Sequence, residues 1–297
     1  MAATSKIDVS QVFANISDDW LEIINDDLLP DILEKLSGSI TPPPDKIFEF
    51  ARLTPLKKLK IVVIGQDPYP RAGDAHGLSF SCLTGIPASL KNIYKCLLHY
   101  KLIEEIPSHG NLEYWAKQGV LLLNRALTTQ VGKPNAHAEI WGSYTTNLIR
   151  RIAANRPLIF MLWGNNARTL NDESIIGTKS FVYEWTHPSP MAQSKQSFIE
   201  CDNFIEANKR LIKLGKEPID WNVDPPANEV ELAFGAKAST QVVFTDGSCE
   251  PNKICPEAIA GYAAGFSLGS FKDTVLYGNI PNRPVSASNQ RAEGYAI

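Results

Sequence analysis

Four short apolar runs recur along the chain: Ile61–Ile64, Val120–Leu123, Leu158–Trp163 and Phe181–Trp185. Each has the length of a buried strand and lacks the alternation of a half-exposed one. Helical periodicity marks Ser89–His99, Gly142–Asn155 and Phe198–Leu214. Short apolar runs separated by helical segments predict an α/β fold, with a central four-stranded parallel sheet and helices on both faces. Ahead of the sheet, Trp20, Ile24, Leu28, Ile32 and Leu36 belong to apolar stripes of an acidic helical segment. Pro30 is expected to break that segment and Gly38 to end it. Thr41-Pro-Pro-Pro44 reads as a stiff link, and Ile47, Phe48 and Phe50 begin a further short helix.

Each apolar run stops in a polar or glycine-rich turn. The first is followed by Gly65-Gln-Asp-Pro-Tyr-Pro70, the second by Asn124-Arg125. The third is followed by Gly164-Asn165-Asn166, the fourth by His187-Pro-Ser-Pro-Met191. In an open α/β sheet the site lies outside the carboxyl ends of the strands. Asp67, Asn124, Gly164 and His187 are therefore expected to meet on one edge although they are far apart in sequence. Two prolines stiffen the first loop, which carries one carboxylate and one aromatic ring.

Net charge is −3, which by itself argues against nucleic acid. Its distribution changes the picture. Residues 51–223 carry 21 Lys/Arg against 14 Asp/Glu, while both flanks are acidic. A basic central block suits a phosphate-binding surface. Cys82, Cys96, Cys201, Cys249 and Cys255 form neither a CxxC pair nor a metal-ligand pattern, as expected of reduced thiols. The chain has no apolar run of membrane-spanning length and no signal pattern at its start. It is expected to be soluble and intracellular, in cytoplasm or nucleus, without membrane contact.

Seven motifs carry a resemblance: GQDPYP (65–70), AHGLSFS (75–81), PASLKNIY (87–94), GVLLLN (119–124), LWG (162–164), HPSP (187–190) and PIDW (218–221). Together they resemble family 1 uracil-DNA glycosylases, over about Trp20 to Trp221. The resemblance implies an enzyme that flips deoxyuridine out of DNA and hydrolyses its N-glycosidic bond, without a cofactor or metal. It implies Asp67 and His187 as the catalytic pair. Asp67 would lie beneath the sugar and orient the attacking water; His187 would donate to uracil O2 as a neutral imidazole. No second carboxylate sits in the other strand-end motifs, and uracil anion leaves without an acid of the O-glycosidase kind.

Gln66, Tyr69, Phe80 and Asn124 match uracil-binding positions. The Asn124 amide would donate to O4 and accept from N3–H, a pattern that cytosine inverts. Phe80 would stack on the base, and Tyr69 would fill the space where thymine carries its methyl group. His76, Ser89, Gly164, Asn165, Ser189 and Met191 match DNA-contacting positions. Small hydroxyls and backbone N–H groups suit phosphates. Ser89 is also placed to cap a helix, and His76 to make a structural hydrogen bond. Met191 would fill the gap left by the flipped nucleotide. The family often has His where Pro70 stands, usually Leu at Met191, and commonly Ser at Asn165 and Ala192. The implied partner is uracil-containing DNA, single- or double-stranded, with replication proteins as further candidates and a monomer as the expected state.

After Trp221 the composition shifts. Residues 1–223 are expected to form the glycosylase domain and 224–239 a linker. Residues 240–297 contain β-like runs at Gln241–Thr245, Ala260–Leu268 and Thr274–Ile280. FTDGS (244–248), AGYAAGF (260–266) and NQRAE (289–293) resemble the start of a ribonuclease H domain, in which carboxylates hold two divalent ions. Asp246 and Glu293 match the first two of those carboxylates. The chain ends at Ile297, so the segment is expected to be a partial ribonuclease H-like meander, either a fragment of a longer protein or a relic. Two rival functions follow: a catalytically weakened module that binds DNA or a replication partner, favoured by Pro70, and a metal nuclease centred on the tail.

Overall fold

The computed structural model describes residues 7–225, except 37, 155 and 193, together with the backbone of strands at 242–244, 261–268 and 271–279. The chain divides into two compact units, residues 1–229 and 230–297.

The first unit is built on four parallel strands: β1 (Ile61–Gly65), β2 (Val120–Asn124), β3 (Ile159–Trp163) and β4 (Phe181–Trp185). Their order is β2-β1-β3-β4. Every residue of β1, β2 and β3 is buried. A strand covered on both faces needs an unbroken apolar run, which is why these segments lack alternation. β4 is at the edge and only half-buried. β1 and β2 run one residue past their apolar cores, so Gly65 and Asn124 end the ladder side by side.

Three longer helices follow the expected pattern with shifted ends: α1 (Ala88–His99), α2 (Ala138–Ala153) and α3 (Asn203–Lys213). α2 starts four residues ahead of Gly142. Its buried stripe, Trp141, Tyr144, Thr145, Leu148, Ile149 and Ile152, begins before the glycine, and packing outweighs glycine's poor helix propensity. Phe198–Leu214 is not one helix. A 3₁₀ turn at Phe198–Glu200 precedes α3. Where the turn ends, the Tyr100 hydroxyl donates to the Glu200 carbonyl (2.8 Å) and the Cys96 thiol to the Cys201 carbonyl (3.1 Å). Both carbonyls are thereby engaged from α1 and its end.

The acidic N-terminal segment forms short helices at Val9–Phe13, Asp18–Ile24 and Leu29–Lys35. Pro30 opens the last of these instead of breaking it, because a first-turn proline has no intrahelical N–H bond to lose. Ile40–Thr41 pairs antiparallel with Thr129–Gln130, a ribbon too short to show as a pattern. The PIDW motif closes the unit. Trp115 Nε1 donates to the carbonyls of Trp221 (3.1 Å) and Asn222 (2.8 Å), and the two indoles meet edge to face at 5.1 Å.

In the second unit, Val242–Phe244, Gly261–Leu268 and Phe271–Asn279 form an antiparallel sheet in chain order. The last strand begins three residues ahead of the expected Thr274. Asp246 and Glu293 lie outside the described residues. Among the described residues, no helix is long and apolar enough to cross a membrane.

Candidate active site

The strand register places four turns at one level, with Gly65 opposite Asn124 and Trp163 opposite Trp185. The pairing continues past the strands: the N–H of Arg125 donates to the Gly65 carbonyl, and that of Ala126 to the Gln66 carbonyl, both at 3.0 Å. Asn124 is buried, and its amide has no hydrogen-bond partner among the described residues. An open amide on an otherwise buried residue can pair with a complementary donor–acceptor edge. Gly65 makes the room for it. A Cβ there would overlap Asn124 Oδ1 and lie 2.7 Å from the Ser79 Cβ.

Asp67 is half-buried on the loop after β1. Its Oδ2 accepts the Asn135 N–H at 2.7 Å. Burial pushes the Asp67 carboxyl above its ordinary value, and the Asn135 N–H pulls it partly back. Gln66 Nε2 donates to Asn135 Oδ1, also at 2.7 Å. The Tyr69 hydroxyl donates to the Phe80 carbonyl at 3.1 Å, and burial pushes that phenol well up. Phe80 sits at φ +62°, and its ring lies 5.5 Å from Trp163 and 6.1 Å from His187. Tyr69, Phe80 and His187 are thereby held around one space.

His187 stands on the loop after β4. Its Nδ1 accepts the Ser189 N–H at 3.1 Å, so Nδ1 carries the lone pair. Burial pushes the imidazole below its ordinary value. The neutral ring therefore carries its proton on Nε2, the tautomer that donates outward. Asn92 Nδ2 donates to the Pro188 carbonyl at 2.8 Å and ties this loop to α1. Gly164 has φ +82°, and a Cβ there would stand 2.9 Å from the His187 Cβ. The turn after β3 can approach the imidazole only as glycine. A cavity of about 130 Å³ opens between Gly65–Gln66, Trp163–Asn165 and His187.

The structure thus brings Gln66, Asp67, Tyr69, Phe80, Asn124, Gly164 and His187 to one edge. Around it, Asn165 is exposed, Ser189 accepts the Met191 N–H through Oγ at 3.2 Å, and Met191 is 87% exposed. Two expectations are corrected. Ser89 does not cap α1: Pro87 holds the N-cap position, and Ser89 stands half-exposed inside the first turn. His76 is not at the surface. It is 3% exposed, with Nε2 on the Ser81 hydroxyl at 2.6 Å and Nδ1 4.0 Å from Glu113. It joins a buried hydrogen-bond network, in which that same hydroxyl accepts the Leu112 N–H and donates to the Gly110 carbonyl.

Residues 52–212, more than half of the chain, match the family model described as the uracil DNA glycosylase superfamily. The chain belongs to that superfamily. A uracil-DNA glycosylase of Desulfitobacterium hafniense is 39% identical over 222 residues, covering 70% of this chain and 98% of the relative. One from Coxiella burnetii is 43% identical over 196 residues, covering 64% and 84%. The crystal structure of mimivirus uracil-DNA glycosylase superposes with a TM-score of 0.67 at 30% identity, covering 73% of this chain and 90% of that one. In this superfamily member a carboxylate, an outward imidazole N–H and an open amide share one edge, groups that can stabilise developing charge. Sequence reasoning missed Asn92 and Asn135. Asn135 had a trace, since Lys133-Pro-Asn-Ala is a turn pattern and asparagine tolerates φ > 0. Nothing in the pattern names its partners, which lie 68 and 69 residues away.

Proposed function

We infer that this chain is a uracil-DNA glycosylase: it flips deoxyuridine out of DNA and hydrolyses the N-glycosidic bond, releasing uracil and leaving an abasic site for base excision repair. The observation that carries this reading is the meeting of Asp67, Asn124 and His187 on one sheet edge of a superfamily member. Asn124 reads the base edge; its open amide supports that role. Phe80 stacks on uracil, Tyr69 blocks the position of a C5 methyl, and Gln66 completes the pocket. As the bond lengthens, the sugar gains positive charge above Asp67 and the base gains negative charge at O2. His187 Nε2–H meets that oxygen, and Asp67 aims the attacking water. Ser89, Gly164, Asn165 and Ser189 grip the backbone, and Met191 fills the space left in the stack.

The test is release of free uracil from a uracil-containing oligonucleotide, with and without excess EDTA. Release that survives EDTA supports this reading. DNA binding without release would favour the weakened binding module, and metal-dependent strand cleavage without free uracil would favour a nuclease. Specificity gives a sharper check. Asn124→Asp alters the donor–acceptor pattern and is expected to admit cytosine weakly; Tyr69→Ala is expected to admit thymine weakly. Failure of both variants to release their new base would remove the pocket assignment.

We place the catalytic unit in residues 1–223, the linker in 224–239 and a ribonuclease H-like segment in 240–297. A chain ending at Asp224 is expected to keep full uracil release, because every residue given a role precedes that point. A loss of release on truncation would make the tail part of the enzyme.

A further inference from the structure

We propose that Asn135 is a positioning residue of this glycosylase, a left-handed backbone clamp that aims the Asp67 carboxylate and holds Gln66 beside it. The proposal rests on the functional reading above. Asn135 has φ +61°, a conformation that a side chain with a Cβ adopts reluctantly and that asparagine tolerates best after glycine. From it the backbone N–H reaches Asp67 Oδ2 at 2.7 Å while the side-chain Oδ1 takes Gln66 Nε2 at 2.7 Å. One residue thus grips two consecutive positions of the loop after β1.

The surrounding segment is bolted in place. The Gly132 N–H donates to the Pro70 carbonyl at 2.8 Å, tying the two loops at a second point. The Thr129 hydroxyl donates to the Lys133 carbonyl (2.7 Å) and accepts the Ala136 N–H (3.1 Å). The Ala138 N–H, opening α2, donates to the Asn135 carbonyl at 3.1 Å. With both neighbours fixed, Asn135 is held in its unfavoured conformation, as backbone strain at a functional site requires. A carboxylate anchored through one oxygen leaves the other free for water, and a hydrogen bond from a neutral N–H favours its charged form.

The titratable groups around Asp67 are few. His187 faces the same edge across the cleft, and burial disfavours its charged form. The Tyr69 phenol lies on Asp67's own loop, raised by burial. On the Asn135 segment, His137 is buried against Thr128 Oγ1 at 2.9 Å and also pushed down, while Lys133 is exposed. None supplies a charge that could replace the Asn135 N–H.

The test compares Asn135→Gly with Asn135→Val in the full chain, measuring kcat, KM and the pH profile of uracil release. Valine is branched at Cβ and resists φ +61°, so the clamp shifts; glycine keeps the conformation and the N–H and loses only Oδ1. Asn135→Val is expected to lower kcat about ten- to a hundredfold, the scale of one hydrogen bond to a charged group, with little change in KM. Its acid limb should move to higher pH, because Asp67 loses the bond that favours its ionised form. Asn135→Gly should fall by less and keep the wild-type acid limb. In an Asp67→Asn background, Asn135→Val should cost less than about threefold, since its effect passes through the missing charge. Should the valine variant fail to fold, Asn135→Ala carries the same comparison with less strain. A folded valine or alanine variant with wild-type kcat and acid limb overturns the proposal, as does a full loss persisting beside Asp67→Asn. Those results leave the functional reading intact; absence of uracil release by the unaltered chain removes both.

Discussion

Asp67→Asn is expected to bind uracil-containing DNA normally and to lose uracil release by several orders of magnitude. The substitution keeps the shape of the side chain. Its amide oxygen can still accept the Asn135 N–H that Asp67 Oδ2 accepts at 2.7 Å, so the loop has no reason to move. In the proposed mechanism, what disappears is one negative charge beneath a sugar that turns cationic in the transition state. A fixed charge in a partly dry site acts with little screening, and such electrostatic terms are usually the largest in catalysis. The loss should therefore fall on kcat and leave binding alone. Burial raises the Asp67 carboxyl, so wild-type release should fail on acidification earlier than a solvent-exposed aspartate would imply. The sign follows from the proton: below its pKa the group is neutral, and neutral Asp67 is in effect the variant. Single-turnover release and DNA affinity, measured across pH, check both halves. Near-normal turnover in Asp67→Asn would take Asp67 out of the mechanism.

His187→Ala is expected to lower release by about a hundred- to a thousandfold, the cost of removing one donor aimed at a developing oxyanion. His187→Gln, which retains an N–H donor, should recover part of it. Two features hold the imidazole neutral. Burial penalises its charge, and protonating Nδ1 would set that proton against the Ser189 N–H, donor facing donor. Since the folded pKa is depressed, the unfolded chain takes up this proton first. His187 should thus reduce stability as pH falls below the ordinary imidazole value, and His187→Gln should remove that component. A wild-type pH dependence of the melting temperature in His187→Gln would show that Nδ1 is not locked. Wild-type release by His187→Ala would remove the donor role.

Much of the site edge was legible because parallel sheets impose a simple rule. Buried strands need unbroken apolar runs, and sites sit where those runs stop, so Asp67, Asn124, Gly164 and His187 could be placed together before any coordinate. What stayed hidden depends on contacts without a period. His76 carries the same side chain as His187, yet one is walled in by Ser81 and the other borders the cavity. Spacing cannot distinguish them. Ser89 is a favourable cap by type, but Pro87 takes that position two residues earlier. Pro30 reads as a break and Gly142 as the start of a helix, and context makes one part of a first turn and the other a passenger in α2. Asn135 acts through its backbone N–H, which every residue except proline possesses, so its identity says little about its partner.

The half-buried edge strand gives the site an uneven resilience. β1, β2 and β3 are buried throughout, whereas β4 is only half-buried and has a partly open face. Edge elements with few buried contacts open at a smaller free-energy cost than the core they lie against. Fraying of β4 would carry His187, Ser189 and Met191 away together while Asp67 and Asn124 stayed with the fully buried strands. Mild heat or denaturant should then uncouple recognition from bond breaking before the domain unfolds, and a molecule in that state would hold its base without cutting it loose.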